Sequence, residues 1–300
     1  MSRHLAAANL GRNLEMATRT IDIHPHVISR DDVRYPRAPL FGVQSDWSRE
    51  RPVTIEDMIA AMDEAGVDKS AIVQASTCYG HDNSYLADSL AKYKGRITGV
   101  CSVDIRAPDA VEKLKFWRER GMTGLRLFTG GSTQAIDASW IDDPATFPTW
   151  DHAAQTGTSV CLQMSAAGFP KALSILKQFP KVKLLLDHLA RPDITDGPPY
   201  AAAKPLFSLA PYSNIYLKVT PRIFDQVRQG KATPETFFKK LVDEFGASRL
   251  AWGSNYPASA GPLSKLLGVA REALASVRSQ DQEWIFARTA QSLYPSLVDK

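Results

Sequence analysis

The stretch ITGVCSVDIRAPDAVEKLKFWRERGMTGLRLF, residues 97–128, decides the fold. It opens on an apolar run, ITGVCSVD (97–104), crosses the amphipathic segment APDAVEKLKFWRERG (107–121), and ends on a second apolar run, GLRLF (124–128). Short runs rich in β-branched residues and poor in charge suit strands buried on both faces of a parallel sheet. The segment between them closes on Gly121, a residue suited to a helix C-terminus. Strand, helix, parallel strand is the unit.

The same alternation continues on both sides. Further strand candidates are TIDIHPH (20–26), SAIVQAS (70–76), SVCLQMS (159–165), KLLLDHL (183–189), IYLKVT (215–220) and LAWGSNYP (250–257). TIEDMIAAMDEAG (54–66) repeats the helical pattern, Asp82 or Asn83 can cap the helix after strand two, and Thr233-Pro234-Glu235 reads as a cap with a first-turn Pro. Eight strand–helix repeats predict an α/β chain folded as a closed (β/α)8 TIM barrel rather than an open doubly wound sheet. One domain is expected over 20–300, with an N-terminal tail at 1–19. No GxGxxG follows the first strand and no P-loop occurs, so nucleotide-cradling turns are missing. The GGS at 130–132 reads as an ordinary turn, and the long segment 27–53 as a lid or pocket wall over the barrel mouth.

Composition narrows the function. Lys+Arg number 36 against 32 Asp+Glu, a surplus of four over 300 residues with no basic run of five, which argues against nucleic acid. No stretch of about 18 apolar residues is present to span a membrane. The opening MSRHLAAANLGRNLEMATRT is interrupted by Arg12, Asn13 and Glu15 and lacks the apolar centre of a secretory signal. Cys78, Cys101 and Cys161 form no CxxC pair, so a reduced, cytoplasmic protein is expected.

Chemistry-bearing residues gather at the ends of strands. His24-Pro25-His26 closes strand one, and positions i and i+2 of a strand share a face, so both imidazoles enter the barrel. Neutral imidazoles bind metal or polarise a carbonyl. Asp187-His188 closes strand six, where a regular strand lets only one of the two face inward, which leaves Asp187 structural if His188 faces the site. Trp252-Gly253-Ser254-Asn255 closes strand eight. Tyr79, His81 and Asp82 are candidates for a different pocket, while His4 and His152 are assigned no chemistry.

HxH after strand one, DH after strand six and WGSxxP after strand eight resemble the amidohydrolase superfamily in its amidohydrolase 2 branch. The resemblance extends over residues 21–257 through IDIHPHV, GMTGLRLF, LLLDHLARPD, LKVT and LAWGSNYP. It is nearest to the 2-pyrone-4,6-dicarboxylate lactonase group and related lactone hydrolases. It implies that His24, His26 and His188 polarise a lactone carbonyl, or hold one divalent ion such as zinc in relatives that use one. It implies too that Arg126, Arg191 and Arg222 grip a substrate carboxylate, which guanidinium groups bind bidentately.

Two departures matter most. The family usually has an Asp at position 255 as base for the attacking water, and this chain has Asn255, which has no titratable carboxylate. Metal-using relatives often carry a His on strand five, where Gln163 stands, so no obligatory cofactor is expected and Gln163 is assigned to substrate binding. His188, with a reference pKa of about 6.5, is the candidate base in place of the missing Asp. The expected function is hydrolysis of a lactone or related ester of a small anionic organic acid. The alternatives are a decarboxylase of the same branch and a non-catalytic ligand-binding or partner barrel; assembly into a homo-oligomer stays open.

Overall fold

The computed structural model describes residues 19–299, which leaves His4 and nearly all of the expected tail at 1–19 outside the described residues. Eight strands form one sheet in chain order: β1 (Ile21–Asp22), β2 (Lys69–Val73), β3 (Ile97–Ser102), β4 (Met122–Phe128), β5 (Ser159–Gln163), β6 (Leu184–Leu186), β7 (Ile215–Val219) and β8 (Leu250–Trp252). All seven neighbouring pairs are parallel. Ile23 N–H donates to the Trp252 carbonyl at 3.3 Å, which brings β1 against β8 and nearly closes the barrel. Seven of the eight strands stop short of the run that predicts them, β4 alone reaching its end. The residues beyond the ladder turn into the mouth, where barrel enzymes collect their chemistry.

Helices form where the periodicity places them. Ile55–Ala65 starts on Thr54, whose hydroxyl accepts from Asp57 N–H, and stops at Gly66 in the left-handed region. Ala110–Glu119 follows β3, and Pro234–Phe245 starts on Thr233, whose hydroxyl accepts from Thr236 N–H. Asn83 sits at the cap position before Ser84–Lys92 but does not cap it. Its amide instead accepts from Ser102 N–H and donates to the Ser102 carbonyl, which ties β3 to the preceding loop.

Two cores support the mouth. Ile21, Ile23, Val73, Val100, Leu185 and Ala251 fill the barrel interior, and Leu293, Tyr294 and Leu297 plug its lower end. A larger apolar layer packs helices such as Phe237, Phe238 and Leu241 against the outer faces of the strands. Fully burying each such side chain contributes roughly 1.5–3 kcal/mol. With the lower end plugged by side chains, the open end is the upper one.

Candidate active site

The chain leaves β1 at Asp22 and carries both His24 and His26 inward, 0% and 3% exposed. Asp22 Oδ1 accepts from His24 N–H at 3.0 Å and Ser254 N–H at 2.8 Å, and so clasps β1 to the turn after β8. That turn passes over His24 only because residue 253 is Gly: a Cβ there would lie 2.6 Å from the His24 Cβ. Overpacking of this kind costs about 1–3 kcal/mol. Gly253→Ala is therefore expected to lower stability by that amount in urea titrations, with a shifted His24; a variant as stable as wild type would show the contact to be soft.

The segment after β6 departs from strand geometry. β6 ends at Leu186, and His188, Leu189, Ala190 and Arg191 take φ of 55°, 54°, 55° and 58°. Arg191 N–H donates to the His188 carbonyl at 2.9 Å, so the four residues form one left-handed turn without any glycine. Such backbone costs about 1–2 kcal/mol per residue, and it persists because the surrounding structure holds it. The alternation argument, which allowed only one of Asp187 and His188 to face inward, does not apply once the strand has stopped. Asp187 is 0% exposed inside the barrel, and His188 lines the pocket. A β-branched residue in this region is a steric outlier. Ala190→Val is expected to destabilise by about 2 kcal/mol or more. In Ala190→Gly, relief of the left-handed backbone offsets a lost methyl worth about 0.8 kcal/mol, which leaves stability within about 1 kcal/mol of wild type. Thermal denaturation of the two variants checks the contrast.

The mouth holds a cavity of about 360 Å3 lined by His26, His188, Arg126, Arg191, Arg222, Gln163 and Asn255. The predicted residues thus come together, with His24 behind the wall: its ring centroid lies 5.1 Å from that of His26 and 5.0 Å from that of His188. The segment 27–53 supplies Trp47 as pocket wall, its ring 5.2 Å from that of His26. Arg126 is only partly available to a ligand, because its Nε donates to Asp187 Oδ2 at 3.1 Å. Arg191 donates to the Gly131 carbonyl at 3.2 Å. A Cβ on Gly131 would lie 2.7 Å from the Arg191 guanidinium and 2.9 Å from the Gln163 amide, so the GGS turn is part of the site wall. His24 Nε2, Gln163 Oε1 and Arg191 Nε are buried with no partner among the described residues.

Three contributors escape the sequence reading. Lys218 in β7 is fully buried, with Nζ 2.9 Å from His24 Nδ1 and 3.0 Å from Asp187 Oδ1. A lone Lys inside the apolar run IYLKV is the signal that could have found it. Asp225 is the sole carboxylate lining the cavity among the described residues, and nothing in the sequence distinguishes it from other helix-surface acids. Asp22, two residues before His24, shares its face of the strand. His81 lines a neighbouring cavity of about 260 Å3 with Phe41 and Trp140, while the buried Tyr79 accepts from Ser29 N–H at 2.9 Å. Asp82 accepts from Ser84 N–H.

Burial governs the electrostatics. It pushes His26 and His188 down to about 3 and His24 well below the ordinary histidine value, so all three rings are neutral. His188 is consequently a much weaker base than its reference value suggests. Burial pushes Asp22 up to about 6. Burial alone would raise Asp187 too, but Lys218 and Arg126 outweigh it and hold that carboxylate at about 2.

These shifts make the protein acid-labile. Between pH 6 and 3.8 the unfolded chain protonates three site histidines that the folded chain leaves neutral, while the folded chain alone protonates Asp22; three minus one leaves two protons favouring unfolding. Stability then falls by about 2.7 kcal/mol for each unit of acidification. Summed from pH 6 to 3.8 that is about 6 kcal/mol, which exhausts the lower end of a typical reserve of about 5–15 kcal/mol, so cooperative unfolding is expected between about pH 3 and 4. Near-UV circular dichroism across that range checks it, and a native spectrum at pH 3 would contradict it.

The donor set does not suit a divalent cation. Among the described residues no three His, Cys, Asp or Glu groups are placed to hold one. The histidines have Lys218 and Arg126 as cationic neighbours, and Asn255 brings no negative charge. A divalent cation favours anionic or lone-pair donors and is repelled by fixed cations beside them.

A family model described as amidohydrolase matches residues 21–296. L-fucono-1,5-lactonase of Burkholderia ambifaria is 26% identical over 247 residues, 81% of this chain and 81% of that protein. 4-Sulfomuconolactone hydrolase of Rhizobium radiobacter is 23% identical over 225 residues, 71% of each. A solved amidohydrolase from Burkholderia multivorans with bound zinc superposes at a TM-score of 0.73 and 19% identity, covering 92% of this chain and 99% of that one, which is a likeness of fold.

Proposed function

The chain belongs to the amidohydrolase family, and on that premise we propose that it opens the ring of a small lactone bearing an acid group. The observation that carries the reading is the meeting of neutral histidines and three arginines at one barrel mouth. The lactone names of the two relatives support it.

In this reading the arginines hold the substrate's carboxylate and His188, in the cavity lining, polarises the lactone carbonyl. His26 Nδ1 lies 2.8 Å from the Val73 carbonyl and must donate to it, which leaves its Nε2 lone pair for a water hydrogen. Water oxygen attacks the carbonyl carbon, the ring C–O bond breaks, and the water's proton ends on the departing ring oxygen. The product is a hydroxy acid, which ionises near neutrality. Three free, buried cysteines support a reducing compartment, the cytoplasm. No helix among the described residues is long and apolar enough to cross a membrane.

One proton released per turnover makes a weakly buffered indicator assay the direct test, run over sugar lactones, simple alkyl lactones and carboxylated lactones. Saturable opening of a carboxylated lactone is expected. Arg191→Ala should raise KM by about 10-fold or more with kcat less affected, since losing a charged hydrogen bond costs about 1.5–3 kcal/mol. Wild-type protein inert toward every lactone, yet binding the acids in its mouth, would instead favour a non-catalytic barrel.

A further inference from the structure

We propose that Lys218 is a positioning residue that fixes His24 as a hydrogen-bond donor through Nε2 and thereby withholds that ring from metal ligation. The argument begins with what an ammonium can do. It carries three donors and no acceptor, so at 2.9 Å from His24 Nδ1 it must donate and Nδ1 must accept. Asp187 Oδ1, 3.0 Å from the same Nζ, supplies the countercharge that keeps an ammonium in a fully buried place. A neutral imidazole that accepts at Nδ1 carries its one hydrogen on Nε2.

That hydrogen is unspent. His24 Nε2 is buried and has no partner among the described residues, on a ring in edge contact with those of His26 and His188. Its neighbour His26 is set the opposite way by the Val73 carbonyl. The two imidazoles of one HxH segment therefore divide the work: His24, behind the cavity wall, keeps a hydrogen on Nε2, and His26, in the lining, offers a lone pair there to water. A metal ion would need the lone pair that Lys218 has moved off Nε2. The division of labour rests on the lactone reading; the placement of the hydrogen does not.

Asp187 Oδ1 also lies 3.6 Å from His24 Nδ1. Without the ammonium it becomes the acceptor for an Nδ1 hydrogen. Lys218→Met should therefore invert the ring.

The experiment is long-range proton–nitrogen spectroscopy on protein labelled with 15N-histidine, the His24 signals being those that vanish in His24→Gln. Wild type is expected to show a protonated Nε2 and a lone-pair Nδ1, and Lys218→Met the reverse. In the variant kcat should fall about 100-fold with KM changed by less than about threefold, because the inverted ring displaces His26 and His188, which it touches, from the geometry they hold. Calorimetric titration of wild type with zinc alone should show no stoichiometric binding that depends on His24. An Nδ1-protonated or doubly protonated His24 in wild type overturns the assignment, and so does stoichiometric zinc lost on His24→Gln. Should Lys218→Met fail to fold, the wild-type spectrum still decides. An Nε2-protonated His24 in a protein that opens no lactone leaves the assignment standing and removes the lactone reading.

Discussion

Asn255→Asp is expected to raise kcat for lactone opening by about 100-fold or more, because general-base assistance is worth roughly 10²–10⁴ in rate. Position 255 and the site histidines supply the wild-type pocket with no good base. Burial holds His26 and His188 at about 3 and His24 well below the ordinary histidine value, and Asn255 has only an amide. The backbone accepts the change: Asn255 sits at φ 53°, a region that Asp also visits. The side chain accepts it too. Asn255 Nδ2 donates to Ser259 Oγ at 3.0 Å, and a carboxylate oxygen in that place accepts from the same hydroxyl. Arg126, Arg191 and Arg222 line the same cavity and favour the ionised form.

The variant should also acquire an acid limb in its profile of kcat against pH, where the new carboxylate takes up a proton and turnover falls. Wild type should show no such limb above the onset of acid unfolding. Purified variant assayed beside wild type on a carboxylated lactone gives both readouts. Unchanged or reduced turnover in Asn255→Asp would mean that the amide itself orients the water, and that the base lies elsewhere, with Asp225 the carboxylate to examine next.

The barrel was legible because eight apolar runs recur with helical intervals, and parallel strands buried on both faces leave that trace. The mouth was legible wherever chemistry-bearing types end a run: His24, His26, His188, Asn255 and the three arginines do gather at one cavity or directly behind it. What stayed hidden depends on depth or backbone. The low pKa of His188 comes from burial, which three letters of sequence do not carry. The left-handed turn at 188–191 contains Leu, Ala and Arg after one His, a run that does not mark four successive positive φ values. Gly131 looked like a turn residue because its partner, Arg191, is 60 positions away. Lys218 left a clue, a charge inside a buried strand, and buried charges are paired. Its partners lie in the segments after β1 and β6, so the pairing itself could not be read.

Asp187→Asn is expected to lower stability by about 3–5 kcal/mol, the typical cost of removing one partner from a buried ion network. Asp187 is fully buried and faces two cations from neighbouring elements: Arg126 of β4 through Oδ2 at 3.1 Å and Lys218 of β7 through Oδ1 at 3.0 Å. An amide cannot neutralise either, so the variant leaves an ammonium and a guanidinium with 0% and 6% exposure and no countercharge in contact. The wild-type carboxylate titrates at about 2, below the ordinary value of 3.8, so its contribution is present above pH 3.8 and lost only as pH falls through 2. Acid unfolding near pH 4 therefore belongs to the histidines, and the Asp187→Asn loss should be the same at pH 7 and pH 8. Urea titrations at those two values, with Lys218→Met and the double variant, close a thermodynamic cycle. Once Asp187 is gone, removing the stranded ammonium relieves a charge, so the double variant should be less destabilised than the two single losses summed, by about 0.5–3 kcal/mol. Strict additivity, or an Asp187→Asn variant within about 1 kcal/mol of wild type, would show that water reaches these cations and that the network does not hold the strands together.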